Sequence, residues 1–312
     1  MKERDGYSPT CEVPRRSSRD ALEILEASRG RRLTGGELLL LFEEAAPSDL
    51  GRAAHALRLQ RCDPAYVYII AGPPVLPADA PDLGTCETLL RAAAATRGGR
   101  PLHGFSPDTV RRLADASGLQ TLDVLRRLQS AGLTSLGGDG ATILGDRIRR
   151  LLPDRDAVPR EWIEICEEAH YLGLSSTATM TFGHVETCPE RVEHLLWLRD
   201  SQDRTRGYAA FAPLPFRPGE ASPSHPVELA PRTVVDPGPD HLRTLALSRL
   251  ALDNVSRIQA VDMVRDPGLL RSAILCGANE LVDIAPIGPE LGGRVRSAGF
   301  EPAALDHGDP AP

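Results

Sequence analysis

Lysine is almost missing from this 312-residue chain: Lys2 is the only one, and the remaining basic residues are arginines. With abundant Ala, Gly and Pro, that skew fits a GC-rich bacterial genome rather than a functional signal. The basic residues are scattered and the formal charge is −7. The concentrated basic face that phosphate binding requires is absent, which excludes nucleic acid as a partner. Aromatics make up only 4% of the chain, so Ala, Leu, Val and Ile must fill the core. No apolar run approaches the roughly 20 residues needed to span a bilayer. The opening "MKERDGYSPT" has no apolar signal-peptide core. Six cysteines (Cys11, Cys62, Cys86, Cys166, Cys188 and Cys276) are spread along the chain without a C-x-x-C pair, so no disulfide framework is expected. A soluble cytoplasmic protein with no membrane partner is the expectation.

What is present is an alternation. Residues 1–18 read as a disordered tail and 19–64 as an N-terminal helical segment. Thr34 and Glu37 have capping-box spacing at one helix start. From "AYVYIIAG" (65–72) onward, short apolar or β-branched runs alternate with helical spacing as far as residue 300, and 301–312 read as a second tail. The strand runs fall at 65–72, 101–107, 132–141, 174–183, 208–216, 257–261 and 280–287. Such alternation implies parallel strands with crossover helices. The expected fold class is therefore α/β, an incomplete (β/α) barrel of about seven parallel units with N-terminal helices. An open doubly wound sheet would carry G-x-G-x-x-G after its first strand, and "AGPPVLP" is not that. In the helix "HLRTLALSRLALDN" the leucines read as core packing, while Arg243 and Arg249 are expected to be solvated or ion-paired.

Within "ATMTFGHVETCPERVEHLL" the strand ends at Gly183-His184, and Thr187, Pro189 and Glu190 start a helix at once. His184 thus falls at the C-terminal end of a barrel strand, the end that carries the site in such barrels. It is either a site histidine or a local strand-end hydrogen-bonding group, and both readings stand on the sequence. His184-Val185-Glu186 shares the H-x-E of zinc deaminases but lacks their P-C-x-x-C partner, so no metal ligand is assigned.

Five stretches together carry a resemblance: "ATMTFGHVET", "RVEHLLWLRDSQDRT", "AAFAPLPFRP", "HLRTLALSRLALDNVSRIQA" and "LCGANEL". They resemble the radical S-adenosylmethionine (SAM) enzymes of the futalosine route to menaquinone. That group comprises aminofutalosine synthase and cyclic dehypoxanthine futalosine synthase, with the deazaflavin (FO) synthase subunits as relatives. The likeness runs from about Leu33 to Phe300, and "TFGHVET" and "PLPFRP" lean toward the aminofutalosine synthase branch. The resemblance implies a radical SAM (β/α) barrel whose [4Fe–4S] cluster sits in a C-x-x-x-C-x-x-C loop after the first strand. This chain has no such loop. "CDPAYVYII" follows the helix that should precede the barrel, and strand 65–72 matches the family's second strand. The first strand, the cysteine loop and the first helix are missing, with departures at Pro73-Pro74, Thr109, Asp139 and Thr142.

The reading is a degenerate homologue without [4Fe–4S] cluster or radical chemistry. It would bind a nucleoside or SAM-like ligand, with S-adenosylmethionine an admissible cofactor, and form a homo-oligomer or pair with an intact homologue. The alternative is an enzyme using polar acid–base chemistry in the same pocket through His184, since imidazole suits that role. Ser106, Gly137, Gly138, Gly140, Thr179, Pro213 and Gln259 join His184 as strand-end candidates for ligand contact. Each also has a plain structural reading, as a turn, a cap or a packing residue. Loss of one unit should leave a gap between strands 65–72 and 280–287, covered by the N-terminal helices or a second subunit.

Overall fold

The computed structural model describes residues 18–62, 66–71, 82–96, 102–138, 143–151, 158–216, 237–261, 263, 267–283 and 290–304. Three helices lead: α1 (Ser18–Ala27), α2 (Gly35–Glu44) and α3 (Pro47–Arg61). Then come β1 (Tyr66–Ala71), α4 (Leu83–Thr96), β2 (His103–Gly104), α5 (Pro107–Ser117), α6 (Thr121–Ser130), β3 (Ser135–Leu136), α7 (Asp146–Leu151) and α8 (Pro159–Tyr171). The long strands β4 (Ser175–Phe182) and β5 (Tyr208–Pro215) flank α9 (Cys188–Thr205). The chain closes with α10 (Pro237–Ala251), β6 (Arg257–Val261), α11 (Pro267–Leu275), β7 (Glu280–Asp283), α12 (Glu290–Ser297) and β8 (Glu301–Ala304).

Local chemistry sets these boundaries. The Thr34 hydroxyl accepts from the Glu37 N–H, and the Glu37 carboxylate accepts from the Thr34 N–H at 2.9 Å, so both halves of the capping box form at α2. At α9 the Glu190 carboxylate accepts from the Thr187 N–H and hydroxyl. β4 alternates, as a half-buried strand should. Its Ala178 and Met180 join Phe211 of β5, Ile258 and Ala260 of β6 and Leu281 of β7 in the core beneath the helices. The opposite face presents Thr177, Thr179 and Thr181 to the inside of the curl.

All pairings are parallel, and the eight strands run β2-β3-β4-β5-β6-β7-β1-β8. The result is a curled α/β half-barrel. It carries one strand more than the seven units expected. The extra strand, β8, lies in the range read as a tail. It is four residues long and contains Pro302, which lacks an N–H and is tolerated at a sheet edge.

A second expectation is corrected by the strand order. β1 pairs directly with β7, with Tyr68 opposite Glu280 and Ile70 opposite Val282. No helix or second subunit fills that seam. The other side of β1 is taken by β8, with Tyr68 opposite Ala303. Among the described residues the sheet stays open between β8 and β2. Strand 65–72, matched by register to a second barrel strand, therefore sits in the first-strand position beside β7.

The N-terminal helices pack on the outside, α3 against α10 and α2 against α9. They share one core with β4–β7, while α4, α5, α6 and α8 build a second core around Leu90, Leu125 and Leu136. Arg249 was expected to be solvated or ion-paired, and it is neither. It is fully buried and donates to the carbonyls of Gly277 (2.9 Å) and Ser256 (3.1 Å) and to Asn279 Oδ1 (2.7 Å). Gly277 has φ +97°, and a Cβ there would lie 2.9 Å from the Arg249 side chain. Arg243 instead donates to the Phe42 carbonyl at 2.6 Å.

Candidate functional site at the barrel mouth

β4 hands the chain to α9 through Gly183, whose φ of +85° suits glycine. His184 follows, buried, with its ring stacked on Phe216 at 4.0 Å between centroids and 20° between planes. Phe216 extends β5, donating its N–H to the Phe182 carbonyl at 2.7 Å. The two rings therefore stand side by side at the C-terminal ends of adjacent strands.

A buried charge network clamps this turn. The Glu186 carboxylate accepts from the backbone N–H groups of Gly183 and His184, the latter at 2.9 Å. It also accepts from Arg191 Nε at 2.8 Å. Arg191 reaches on to Asp240 at 2.9 Å and to Thr244 Oγ1 at 3.1 Å, and its guanidinium lies over the Phe182 ring at 4.8 Å. Burial alone would lower the Arg191 pKa. The Asp240 hydrogen bond and the charges of Asp240 and Glu186 outweigh it and hold the group above its usual value. Sequence reading missed Arg191 and Asp240 and saw Glu186 only as part of an H-x-E. The signal was a carboxylate two residues past a strand-end histidine, with an arginine five residues further on.

Deeper in the curl lies a polar floor. Strand register places Thr179, Ala212, Gln259, Glu280 and Tyr68 on the inner face of β4, β5, β6, β7 and β1. Gln259 Nε2 donates to Glu280 Oε1 at 2.8 Å, and Arg257 Nε lies 3.6 Å from Glu280 Oε2. Burial raises the Glu280 carboxyl above its usual range, with Arg257 and the Gln259 hydrogen bond opposing it.

The structure brings some candidates together and separates others. Thr179 donates its hydroxyl to the Gly138 carbonyl. A Cβ on Gly138 would fall 2.3 Å from the Thr177 carbonyl oxygen, so glycine there permits strand contact. The Gly137 N–H donates to the Phe105 carbonyl at 3.0 Å. Ser106 is the N-cap of α5, accepting from the Thr109 N–H at 3.2 Å. Pro213 is the register partner of Met180 and shares its helix-side face, away from the inside. Gln259 faces the inside. Gly140 lies outside the described residues.

Cys11 lies outside the described residues, and the five described cysteines sit on separate elements. Cys62 ends α3 and accepts from Asn279 Nδ2 at 2.9 Å. Cys86 is in α4, Cys166 in α8, Cys188 opens α9 and Cys276 follows α11. Burial raises the thiols of Cys86, Cys166 and Cys188 and pushes Cys276 up to about 11. Among the described residues no three His, Cys, Asp or Glu side chains are grouped to hold a metal ion, and no helix is long and apolar enough to cross a membrane.

The fold is similar to that of two solved structures. Methylornithine synthase superimposes with a TM-score of 0.60 at 11% identity, covering 91% of this chain and 97% of that one. The FeFe-hydrogenase maturase HydG from Carboxydothermus hydrogenoformans gives 0.64 at 13%, covering 91% and 79%. No protein-family profile matches the chain. By sequence it is similar to 5-amino-6-(D-ribitylamino)uracil–L-tyrosine 4-hydroxyphenyl transferase 1 of Methanosarcina barkeri, 38% identical over 181 residues, or 58% of this chain and 48% of that enzyme. It is also similar to cyclic dehypoxanthine futalosine synthase of Streptomyces coelicolor, 34% identical over 183 residues, or 59% and 44%. The chain thus spans about half the length of these curated relatives.

Proposed function

We propose that the chain is a degenerate relative of these cofactor-biosynthesis enzymes, a half-barrel that binds a nucleoside-type ligand at its mouth without assembling a [4Fe–4S] cluster on its own cysteines. One observation carries the reading. The mouth is held by a Glu186–Arg191–Asp240 clamp, with Glu186 and Arg191 buried and Asp240 partly exposed, next to the stacked His184 and Phe216, while the five described thiols lie on separate elements. A buried network of this kind leaves the other partners uncompensated if one is lost, so it fixes the turn rather than merely decorating it. S-adenosylmethionine, adenosine and related nucleosides share the chemistry the mouth would recognise. The chain would work as a ligand binder in the cytoplasm, alone, as a homo-oligomer or paired with an intact homologue.

Calorimetric titration with adenosine and with S-adenosylmethionine tests this. Saturable binding of either is expected, weakened at least tenfold by Phe216→Ala. No heat from either at millimolar ligand would overturn the reading.

A second reading, polar acid–base chemistry through His184, is favoured by the rigid hold on the residue, since catalysis needs a positioned group. A His184→Ala variant that turned over a substrate as fast as the parent would remove it.

A further inference from the structure

The barrel floor contains a group that the mouth does not use. Glu280 is completely buried on the inner face of β7. Its Oε1 accepts from Gln259, but its Oε2 has no hydrogen-bond partner and only Arg257 Nε nearby, at 3.6 Å. A buried carboxylate oxygen without a donor costs stability. A protein that keeps one at the centre of its barrel either tolerates that cost or has a ligand that relieves it.

The surroundings say which face the oxygen serves. Ile258, Ala260 and Leu281 alternate with Arg257, Gln259 and Glu280 and belong to the helix-side core, so the polar set faces the inside. The neighbouring inner positions on β5 are small, Ala210 and Ala212. Register puts Thr181, Leu214, Val261 and Val282 one step nearer the mouth. Thr181, Leu214 and Val282 are half-buried there. A mostly apolar collar therefore stands above a floor made of a carboxylate, a carboxamide and a guanidinium.

That floor offers acceptors at Glu280 and at the Gln259 carbonyl, beside the Arg257 guanidinium, whose Nε donates to the Ala209 carbonyl at 3.0 Å and leaves its terminal nitrogens for a further partner. A group that both donates and accepts at adjacent atoms fits it best, which is the chemistry of vicinal hydroxyls. An ammonium would find the Glu280 charge already offset by Arg257, and a carboxylate would meet Glu280 itself. We infer that Glu280, Gln259 and Arg257 form a subsite for the vicinal hydroxyls of a sugar or sugar-alcohol chain, reached through the Thr181–Leu214–Val282 collar. This rests on the proposed nucleoside-type ligand and adds which part of it goes deep.

Adenosine and 2′,3′-dideoxyadenosine are the probes, because they differ only in the two ribose hydroxyls. Calorimetric titration of the full chain should show adenosine binding at least tenfold more tightly than the dideoxy compound. Glu280→Gln should erase most of that preference while leaving dideoxyadenosine affinity unchanged. Thermal melting of Glu280→Gln should show no loss of stability, since removing a poorly paired buried charge is often neutral or favourable. If Glu280→Gln does not fold, Gln259→Met serves in its place, with the same loss of preference expected.

Equal affinity of the parent for the two probes overturns the subsite, as does a preference that survives in both variants. Failure of both adenosine and S-adenosylmethionine to bind would instead overturn the proposed function beneath it.

Discussion

The two walls of the half-barrel are built differently. The β4–β7 wall has eight-residue strands at β4 and β5, paired in register from Thr177 and Ala210 through Phe182 and Pro215. Behind it lies the larger core, shared with the N-terminal helices. The β2–β3 wall has two-residue strands and a smaller core of its own. Each wall has an arginine–carboxylate link between elements. In the first it is Arg191 with Glu186 and Asp240, with 10% and 3% of the Arg191 and Glu186 side chains exposed. In the second it is Arg127 of α6 with Glu87 of α4, with half of the arginine in solvent. The stretches that carry the family resemblance mostly fall in the first wall. Long strands and buried charges thus coincide in one wall.

The difference makes graded predictions. Arg191→Ala should have the largest effect, because it strands the buried Glu186 carboxylate and removes the tie to the half-buried Asp240. A loss of about 3–5 kcal/mol is expected by denaturant unfolding, and a cost under about 1 kcal/mol would mean that the clamp does not hold the mouth.

Acid should come next. His170 of α8 sits behind β4, bonded to Ser176 and Thr205 at 2.7 Å each, and burial lowers its pKa from 6.5 to about 4. Above pH 6.5 both folded and unfolded chains carry it neutral, and it makes no difference. Between pH 6.5 and 4 the unfolded chain takes a proton that the folded one refuses, so stability falls as pH drops and levels off below 4. The ceiling is about 3 kcal/mol from that shift. His170→Gln should flatten this window, and an unchanged pH slope in the variant would remove His170 as its source.

Arg127→Ala in the second wall should cost no more than about 1 kcal/mol, as exposed pairs do. A loss matching that of Arg191→Ala would erase the contrast between the walls.

Much of the fold was legible because its signals are local. Alternation along β4, the Thr34–Glu37 pair and the Thr187–Glu190 start of α9 depend on neighbouring residues and are written in the chain. Pairing order is not local. Whether β1 meets β7, leaves a gap or accepts β8 depends on which edges remain once the sheet curls, and "EPAA" has neither the length nor the alternation to announce a strand. The site divided similarly. His184 and Gln259 could be placed from strand ends and periodicity. Arg191 went unread and Arg249 read as a solvated or ion-paired helix charge, because nothing in a helical repeat says that Asp240 or the Gly277 carbonyl will be waiting. Glu280 was hidden for the same reason: its partners arrive from a different strand, 21 residues earlier. Gly138 read either as a ligand contact or as a turn, and the structure sets it close against the β4 backbone.

Anaerobic reconstitution with iron and sulfide, followed by iron and sulfide counting and Mössbauer spectroscopy on the desalted protein, addresses the central claim most directly. With its five described thiols dispersed over α3, α4, α8, α9 and the end of α11, the chain should retain far less than one cluster per molecule and show no [4Fe–4S] doublet. A stable [4Fe–4S] cluster at one per chain would contradict the account.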